Sequence, residues 1–266
     1  MTATTSGYRG AVTVASTGVR DEVLLEVLHQ TAEAVRVALS GLEDWGLAGT
    51  RPGQYRSDLA ADQAAIEVLD GAGLGVLSEE SGLHHPQREI VVALDPVDGS
   101  TNAGRGLPWY ATSVCAVDRE GPRVAVVVNQ AAGTRFEAVR GGGARRDGEP
   151  IACSGATRLA ESFVALSGWP AHHLGWKQYR ALGAAALDLC AVADGALDAY
   201  VDCSRDAHGP WDYLGGLLVC QEAGAQVADA WERDLVVLGH GDRRTPVASA
   251  TPTLQAEILA ARQALG

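Results

Sequence analysis

No run of about 18 apolar residues occurs in this chain of 266 residues, so no membrane-spanning helix is expected. The N-terminus has no basic start followed by an apolar centre. Met1 to Arg20 mixes Thr, Ser, Gly and Ala and reads as a loose arm, not a secretion signal. There is no Lys/Arg cluster, and the net charge is −12, a surface that repels nucleic acid. The five cysteines (Cys115, Cys153, Cys190, Cys203, Cys220) show no C-x-x-C spacing. Their odd number and wide separation point to reduced thiols in a cytoplasmic protein. The seven histidines lack a metal-ligand spacing such as H-x₃-H. Gly141-Gly142-Gly143 lacks the strand-to-helix context of a nucleotide loop. Internal repeats, low-complexity tracts and long disordered stretches are absent too.

What is present suffices for a large core. The chain is 47% hydrophobic, enough for one big domain or two intimate smaller ones. Val23, Leu24, Val27, Ala34 and Val35 fall at helical spacing and predict a helix over Asp21 to Leu39. Gly41 to Ser57 reads as a loop. A second helix is expected from Asp58, as its N-cap, through Ala64, Ala65, Val68 and Leu69. Strands follow at Gly75 to Leu77, at Glu89 to Leu94 (apolar enough to be buried on both faces), at Thr112 to Asp118, at Val124 to Asn129 and at Arg135 to Arg140. The second half starts near Ala152. Strands are expected at Ser162 to Leu166, Ala196 to Asp202, Gln226 to Ala228 and Leu235 to Leu238. Helices are expected at Gly183 to Ala193, Trp211 to Ala223 and Thr253 to Ala264. Mixed strands and helices in both halves indicate a layered α/β (α+β) architecture.

The sharpest local feature is Asp95-Pro96-Val97-Asp98-Gly99-Ser100-Thr101-Asn102. Two carboxylates stand three apart directly after a buried strand. Pro96 fixes its own φ and Gly99 permits a sharp turn. Both carboxylates and the Val97 carbonyl can then aim at one point, an oxygen set that suits hard cations such as Mg²⁺. Amides after Gly99 can face an anion. The spacing matches neither an EF-hand loop, whose third and fifth positions would be Val97 and Gly99, nor a D-x-D phosphatase nucleophile. Glu79-Glu80 at a strand end and Trp211-Asp212 at a helix start are weak signals alone. An acidic protein that handles an anion needs cations at its site, because they invert the local charge.

Taken in order, Asp58-Leu59-Ala60-Ala61-Asp62, Glu79-Glu80, Asp95 to Asn102, Leu182 to Ala186, Asp198-Ala199-Tyr200, Trp211-Asp212 and Glu222-Ala223-Gly224 resemble the inositol monophosphatase family of lithium-sensitive Mg²⁺ phosphatases. The resemblance covers roughly residues 20 to 264. It implies an αβαβα sugar-phosphatase fold of two intimate sub-domains. Residues 1–152 would form an N-terminal α+β part carrying most metal ligands, and residues 153–266 a C-terminal α/β part carrying Asp212 and the substrate wall. It implies two to three Mg²⁺ ions. Glu79, Asp95 and the Val97 carbonyl would hold the first; Asp95, Asp98 and Asp212 the second; Glu79 with waters a third. Ser100, with Asp62 behind it, would orient the attacking water, and the amides of Gly99 and Ser100 would take the phosphate. Asp98, Gly183, Ala184, Ala185, Asp202 and Asp212 would touch the substrate.

The implied reaction is hydrolysis of a small phosphate monoester, myo-inositol 1-phosphate first. Histidinol phosphate, fructose 1,6-bisphosphate, 3′-phosphoadenosine 5′-phosphate and NADP are alternatives, as is a non-catalytic regulatory protein that kept the fold. A homodimer and inhibition by Li⁺ are also implied. The chain departs from the family pattern at Ser100 (usually Thr), in the shortened Asp58–Asp62 segment, at Ala103 (often aromatic), and in Asp202 to Trp211, about three residues longer than usual.

Overall fold

The computed structural model describes residues 19–50 and 53–265. The expected loose arm, up to residue 18, lies outside the described residues. Helix α1 (Asp21–Ser40) turns Leu24, Val27, Leu28, Thr31, Ala32, Val35 and Leu39 inward, a stripe at steps of three and four. Helix α2 (Arg56–Gly71) has Tyr55 as its N-cap, three residues before the Asp58 that the sequence suggested. Asp58 is therefore not its N-cap: it sits in the first turn, and its carboxylate accepts the Tyr55 backbone N–H at 2.8 Å. That bond satisfies one of the donors left open at a helix start.

The first sheet is built from β1 (Gly75–Ser78), β2 (Gly82–His84), β3 (Val91–Asp98), β4 (Ala111–Asp118), β5 (Gly121–Asn129), β6 (Arg135–Val139), β7 (Gly143–Arg146) and β8 (Glu149–Pro150). Its order is β2-β1-β3-β4-β5-β6-β7-β8. β1 and β3 run parallel, and the other pairs are antiparallel. The central strands are apolar throughout because both faces are covered. Val92, Leu94, Val114, Ala116, Val124 and Val126 face the layer of α1 and α2. Ala93, Cys115, Ala125 and Val127 face the opposite way. Each fully buried Val or Leu contributes about 1.5–3 kcal/mol.

The second sheet holds β9 (Phe163–Ser167), β10 (Gln178–Arg180), β11 (Ala199–Asp202), β12 (Gln226–Asp229) and β13 (Pro246–Ser249), in the order β10-β9-β11-β13-β12. Between the sheets lie α4 (Ala185–Ala193) and α5 (Pro210–Glu222); α6 (Pro252–Gln263) packs on the second sheet. The layers are thus helices, sheet, helices, sheet, helix, which is the αβαβα arrangement the resemblance implied. Helix α5 packs closely because Gly216 carries no side chain: a Cβ there would stand 2.5 Å from the Leu189 Cβ on α4.

The differences from the sequence reading are local. β3 runs on to Asp98 instead of stopping before Asp95, and a short helix α3 (Ser100–Gly104) follows it. Leu235 to Leu238 is not a strand. Its backbone turns locally, the Val237 N–H donating to the Leu235 carbonyl at 3.1 Å, while the Tyr213 hydroxyl donates to the same carbonyl at 2.8 Å and the Val236 N–H donates to the Asp234 carboxylate at 2.8 Å. The strand that joins β11 to β12 is β13, which the sequence reading missed. All five cysteines are unpaired.

Candidate metal centre

Parallel pairing of β1 with β3 sets Ser78 opposite Leu94, so the next residue on each strand, Glu79 and Asp95, leaves the sheet side by side. The Glu79 N–H donates to the Leu94 carbonyl at 3.1 Å and fixes that exit. Asp212 arrives from elsewhere in the chain, in the first turn of α5, which packs on β3 and β4. One carboxylate oxygen from each of Glu79, Asp95 and Asp212 lies within 4.8 Å of the others. Asp95 is 2% exposed.

The turn after β3 is shaped by its own residues. Pairing with β4 is irregular between Asp95 and Asp98. The Val97 N–H donates to the Asp95 carboxylate at 3.0 Å, and the Thr112 hydroxyl holds the Pro96 carbonyl at 2.9 Å. Gly99 has φ of 86°, and a Cβ there would come within 3.0 Å of the Gly183 carbonyl. Only glycine meets both demands. The close approach seats the turn against α4, where the Ala185 and Ala186 N–H groups donate to the two oxygens of Asp98 at 3.1 and 2.7 Å. Asp98 thus caps α4 and is not one of the three clustered acids. Ser100 opens α3 and is half-buried. Asp62 is buried and accepts the Ser78 hydroxyl; among the described residues it makes no hydrogen bond to Ser100. The Ser78 oxygen in turn accepts the Glu80 N–H at 3.0 Å, so Asp62 and Ser78 together brace the turn that carries Glu79.

Crowding of like charge shows in the protonation of the cluster. Burial, then Asp212, Glu80, Asp98 and Asp58, push the Glu79 carboxyl up to about 8. Burial, then Glu79, Asp98 and Asp212, push Asp95 well above the carboxylate range. Burial and Asp212 raise Asp98 to about 7, against the α4 amides and His208, which lower it. Such a group of oxygens is the donor set that hard divalent cations take, and a cation there removes the repulsion. The residues present therefore fit a divalent metal.

Beside the acids is a cavity of about 300 Å³ lined by Asp98, Leu166, Ser167, Gly183, Ala184, Ala185, Asp188, Ala207, His208 and Asp212. Five of the six expected substrate residues line it. Asp202 is fully buried and not among the lining residues; its carboxylate stands 3.8 Å from the Nε2 of His208, which does line the cavity. Two participants escaped the sequence reading, Asp188, held by the Trp109 indole N–H at 2.9 Å, and Ser167; Asp58, read there as a cap and as part of the Asp58–Asp62 segment, also brings its charge to bear on Glu79 and Asp95. His208 carried one usable signal, its place four residues before Asp212. A second cavity of about 380 Å³ lies against α1 and β5, but its polar groups are already engaged, Arg36 with Glu33 at 2.7 Å, Glu26 with the Gln30 amide at 2.9 Å and His29 with Glu137 at 2.9 Å.

The inositol monophosphatase family model matches residues 57–266. The chain is 31% identical over 215 residues to a fructose-1,6-bisphosphatase/inositol-1-monophosphatase of Archaeoglobus fulgidus, covering 77% of this chain and 84% of that one. It is 34% identical over 203 residues to an inositol-1-monophosphatase of Mesorhizobium japonicum, covering 67% and 73%. Among solved structures, an extragenic suppressor from Pyrococcus furiosus superposes with a TM-score of 0.78 at 26% identity, covering 89% of this chain and 99% of that one. With its layered fold, its converging acids and these matches, the chain belongs to the inositol monophosphatase family.

Proposed function

We propose that the protein hydrolyses a small phosphate monoester, myo-inositol 1-phosphate first, to the alcohol and inorganic phosphate, using Mg²⁺. The observation that carries this reading is the meeting of Glu79, Asp95 and Asp212 within 4.8 Å beside a polar cavity. Glu79, Asp95 and the Val97 carbonyl would hold one ion. Asp95, Asp212 and Asp98 would hold a second, and Glu79 a third. Bound divalent ions supply charge neutralisation at the attacking and leaving oxygens. The Gly99 and Ser100 amides receive the phosphate, and the Ser100 hydroxyl orients the attacking water. Asp62 supports this arrangement through Ser78. Asp98, Asp212 and the Gly183–Ala185 backbone seat the alcohol. The sub-domain division near residue 152, and assembly as a homodimer, belong to the same reading.

The cavity's chemistry favours inositol phosphate. Among the described residues no Lys or Arg lines it, so a second phosphate finds no partner there. Among the described residues no Trp, Tyr or Phe lines it either, so an adenine finds no stacking face there. Asp98, Ser167, Asp188, His208 and Asp212 offer hydrogen bonds to hydroxyls. The same acids suit an ammonium group, which makes histidinol phosphate the second reading. Phosphate release in Mg²⁺ from both of these, fructose 1,6-bisphosphate, 3′-phosphoadenosine 5′-phosphate and NADP tests the proposal. The expected order places inositol 1-phosphate first in kcat/KM, with activity lost to Li⁺. Equal rates on all five contradict the substrate assignment; no Mg²⁺-dependent release from any contradicts the hydrolase.

A further inference from the structure

The segment from Asp202 to Trp211 is pinned to the second sheet and its surroundings. Arg262, itself 1% exposed, donates from Nε to the Asp202 carbonyl at 2.5 Å and from its guanidinium to the Ser204 carbonyl at 3.1 Å. The Arg205 guanidinium lies 5.1 Å from the Trp231 ring centre. The Asp206 N–H donates to the Thr245 hydroxyl at 3.0 Å, and the Asp206 carboxylate pairs with Arg233 at 2.7 Å. His208 and Arg244 exchange backbone hydrogen bonds at 3.2 and 2.9 Å. The His208 backbone thus has a rigid base, the condition for a side chain that must hold another in place.

The ring reaches in two directions. Its Nδ1 lies 3.2 Å from the Asp212 Oδ2, which also accepts the Gly209 N–H at 2.8 Å. A carboxylate only accepts, so Nδ1 carries the hydrogen in this contact. Both bonds land on Oδ2, and neither occupies Oδ1. The Nε2 lies 2.9 Å from the hydroxyl of Tyr200 and 3.1 Å from that of Ser167. Tyr200 is fully buried, whereas Ser167 lines the cavity. One imidazole therefore joins an acid of the metal cluster to a hydroxyl on the wall where the substrate's alcohol would sit.

We propose that His208 is a two-ended positioning residue: Nδ1 aims Asp212 at the metal ions, and Nε2 sets the Ser167 hydroxyl to meet a hydroxyl of the substrate. This rests on the reading of Asp212 as a metal ligand and deepens it by naming what orients that ligand and what couples it to the alcohol side. Partners of this kind orient metal-ligating groups, and their loss costs about 10–100-fold in metal affinity or activity.

The two ends are separable by substitution. His208→Asn keeps an amide nitrogen near the Nδ1 position and loses the far end; His208→Gln reaches the Nε2 position and loses the near end. Mg²⁺ affinity is read by calorimetry on the full chain, apart from turnover, and KM and kcat are read on inositol 1-phosphate and on p-nitrophenyl phosphate, which has no hydroxyls. His208→Asn is expected to keep the parent's Mg²⁺ affinity while raising KM for inositol 1-phosphate alone. His208→Gln is expected to weaken Mg²⁺ binding about 10–100-fold and lower kcat on both esters. His208→Ala shows both defects; should it not fold, the Asn and Gln pair still decides. Asn and Gln variants that cannot be told apart, or Mg²⁺ affinity unchanged in both Gln and Ala variants, overturn the proposal. Failure of the parent to release phosphate from either ester would instead remove the hydrolase reading, and the calorimetric comparison would still test the Asp212 end.

Discussion

The carboxylates of Glu79 and Asp212, one leaving a strand of the first sheet and the other opening α5, bring oxygens within 4.8 Å of each other. Two like charges at that range in a buried setting are unstable unless protons or cations intervene.

A pH dependence follows. Glu79 has an ordinary value near 4.5 and stands at about 8 in the folded chain; Asp98 moves from near 3.8 to about 7. Folded protein therefore holds protons that the unfolded chain releases across that interval. Stability of the metal-free protein is highest below about pH 3.8 with respect to these groups, and falls as pH rises to about 8. Mg²⁺ replaces the protons, so the rise in Tm it causes should grow over the same interval. At a hundredfold excess over Kd the gain is about 2.7 kcal/mol, about 5–10 °C for a chain of this size. Thermal melts with EDTA and with Mg²⁺ between pH 5 and 9 check this; a Mg²⁺ effect that shrinks with rising pH contradicts it.

Asp95→Asn removes a shared ligand and a repelling charge at once. Mg²⁺-dependent phosphate release should fall at least about 100-fold, since a metal's charge stabilisation is worth several kcal/mol. In EDTA at pH 8 the same variant should melt above the parent. Unchanged activity would remove Asp95 from the site.

Ser78→Ala cuts the link between Asp62 and the turn bearing Glu79. Leaving these groups unpaired should cost about 1–3 kcal/mol. Mg²⁺ affinity should weaken as the turn loosens, measured by calorimetry below the melting range. A variant with lower Tm but parental affinity shows that the brace serves the fold alone.

Gly99→Ala forces a side chain into φ of 86° and into the Gly183 carbonyl. The backbone cost is roughly 1–2 kcal/mol, and the crowding about 1–3 kcal/mol more. Denaturant unfolding should show a loss in that combined range, with phosphate release falling further than the folded fraction does.

Much of this was legible in the sequence where chemistry and local structure coincide. The run ending at Leu94 announces a strand buried on both faces, and Asp95 to Asn102 follows it with two acids, a proline and a glycine that have few other uses together. Glu79 and Asp212 are ambiguous alone and acquire meaning from their order along the chain. The rest depends on tertiary partners. Leu235 to Leu238 has strand-like residues, but Tyr213 bonds the Leu235 carbonyl and Asp234 the Val236 N–H in place of a strand partner, and β13, four residues long and opening with Pro246, carries too short a pattern to stand out. Asp58 reads as a cap from composition, yet the helix start is set by Tyr55. Asp202 matches a substrate contact by position; the pinned segment buries it and brings His208 to the cavity instead.

The central claim is that distant acids together bind divalent ions. Calorimetric titration of Mg²⁺ into the parent and into Asp212→Asn at pH 8 tests it most directly. Two or more ions should bind the parent, and at least one should be lost, or weakened at least about 10-fold, in the variant. Identical isotherms for the two proteins would contradict the account.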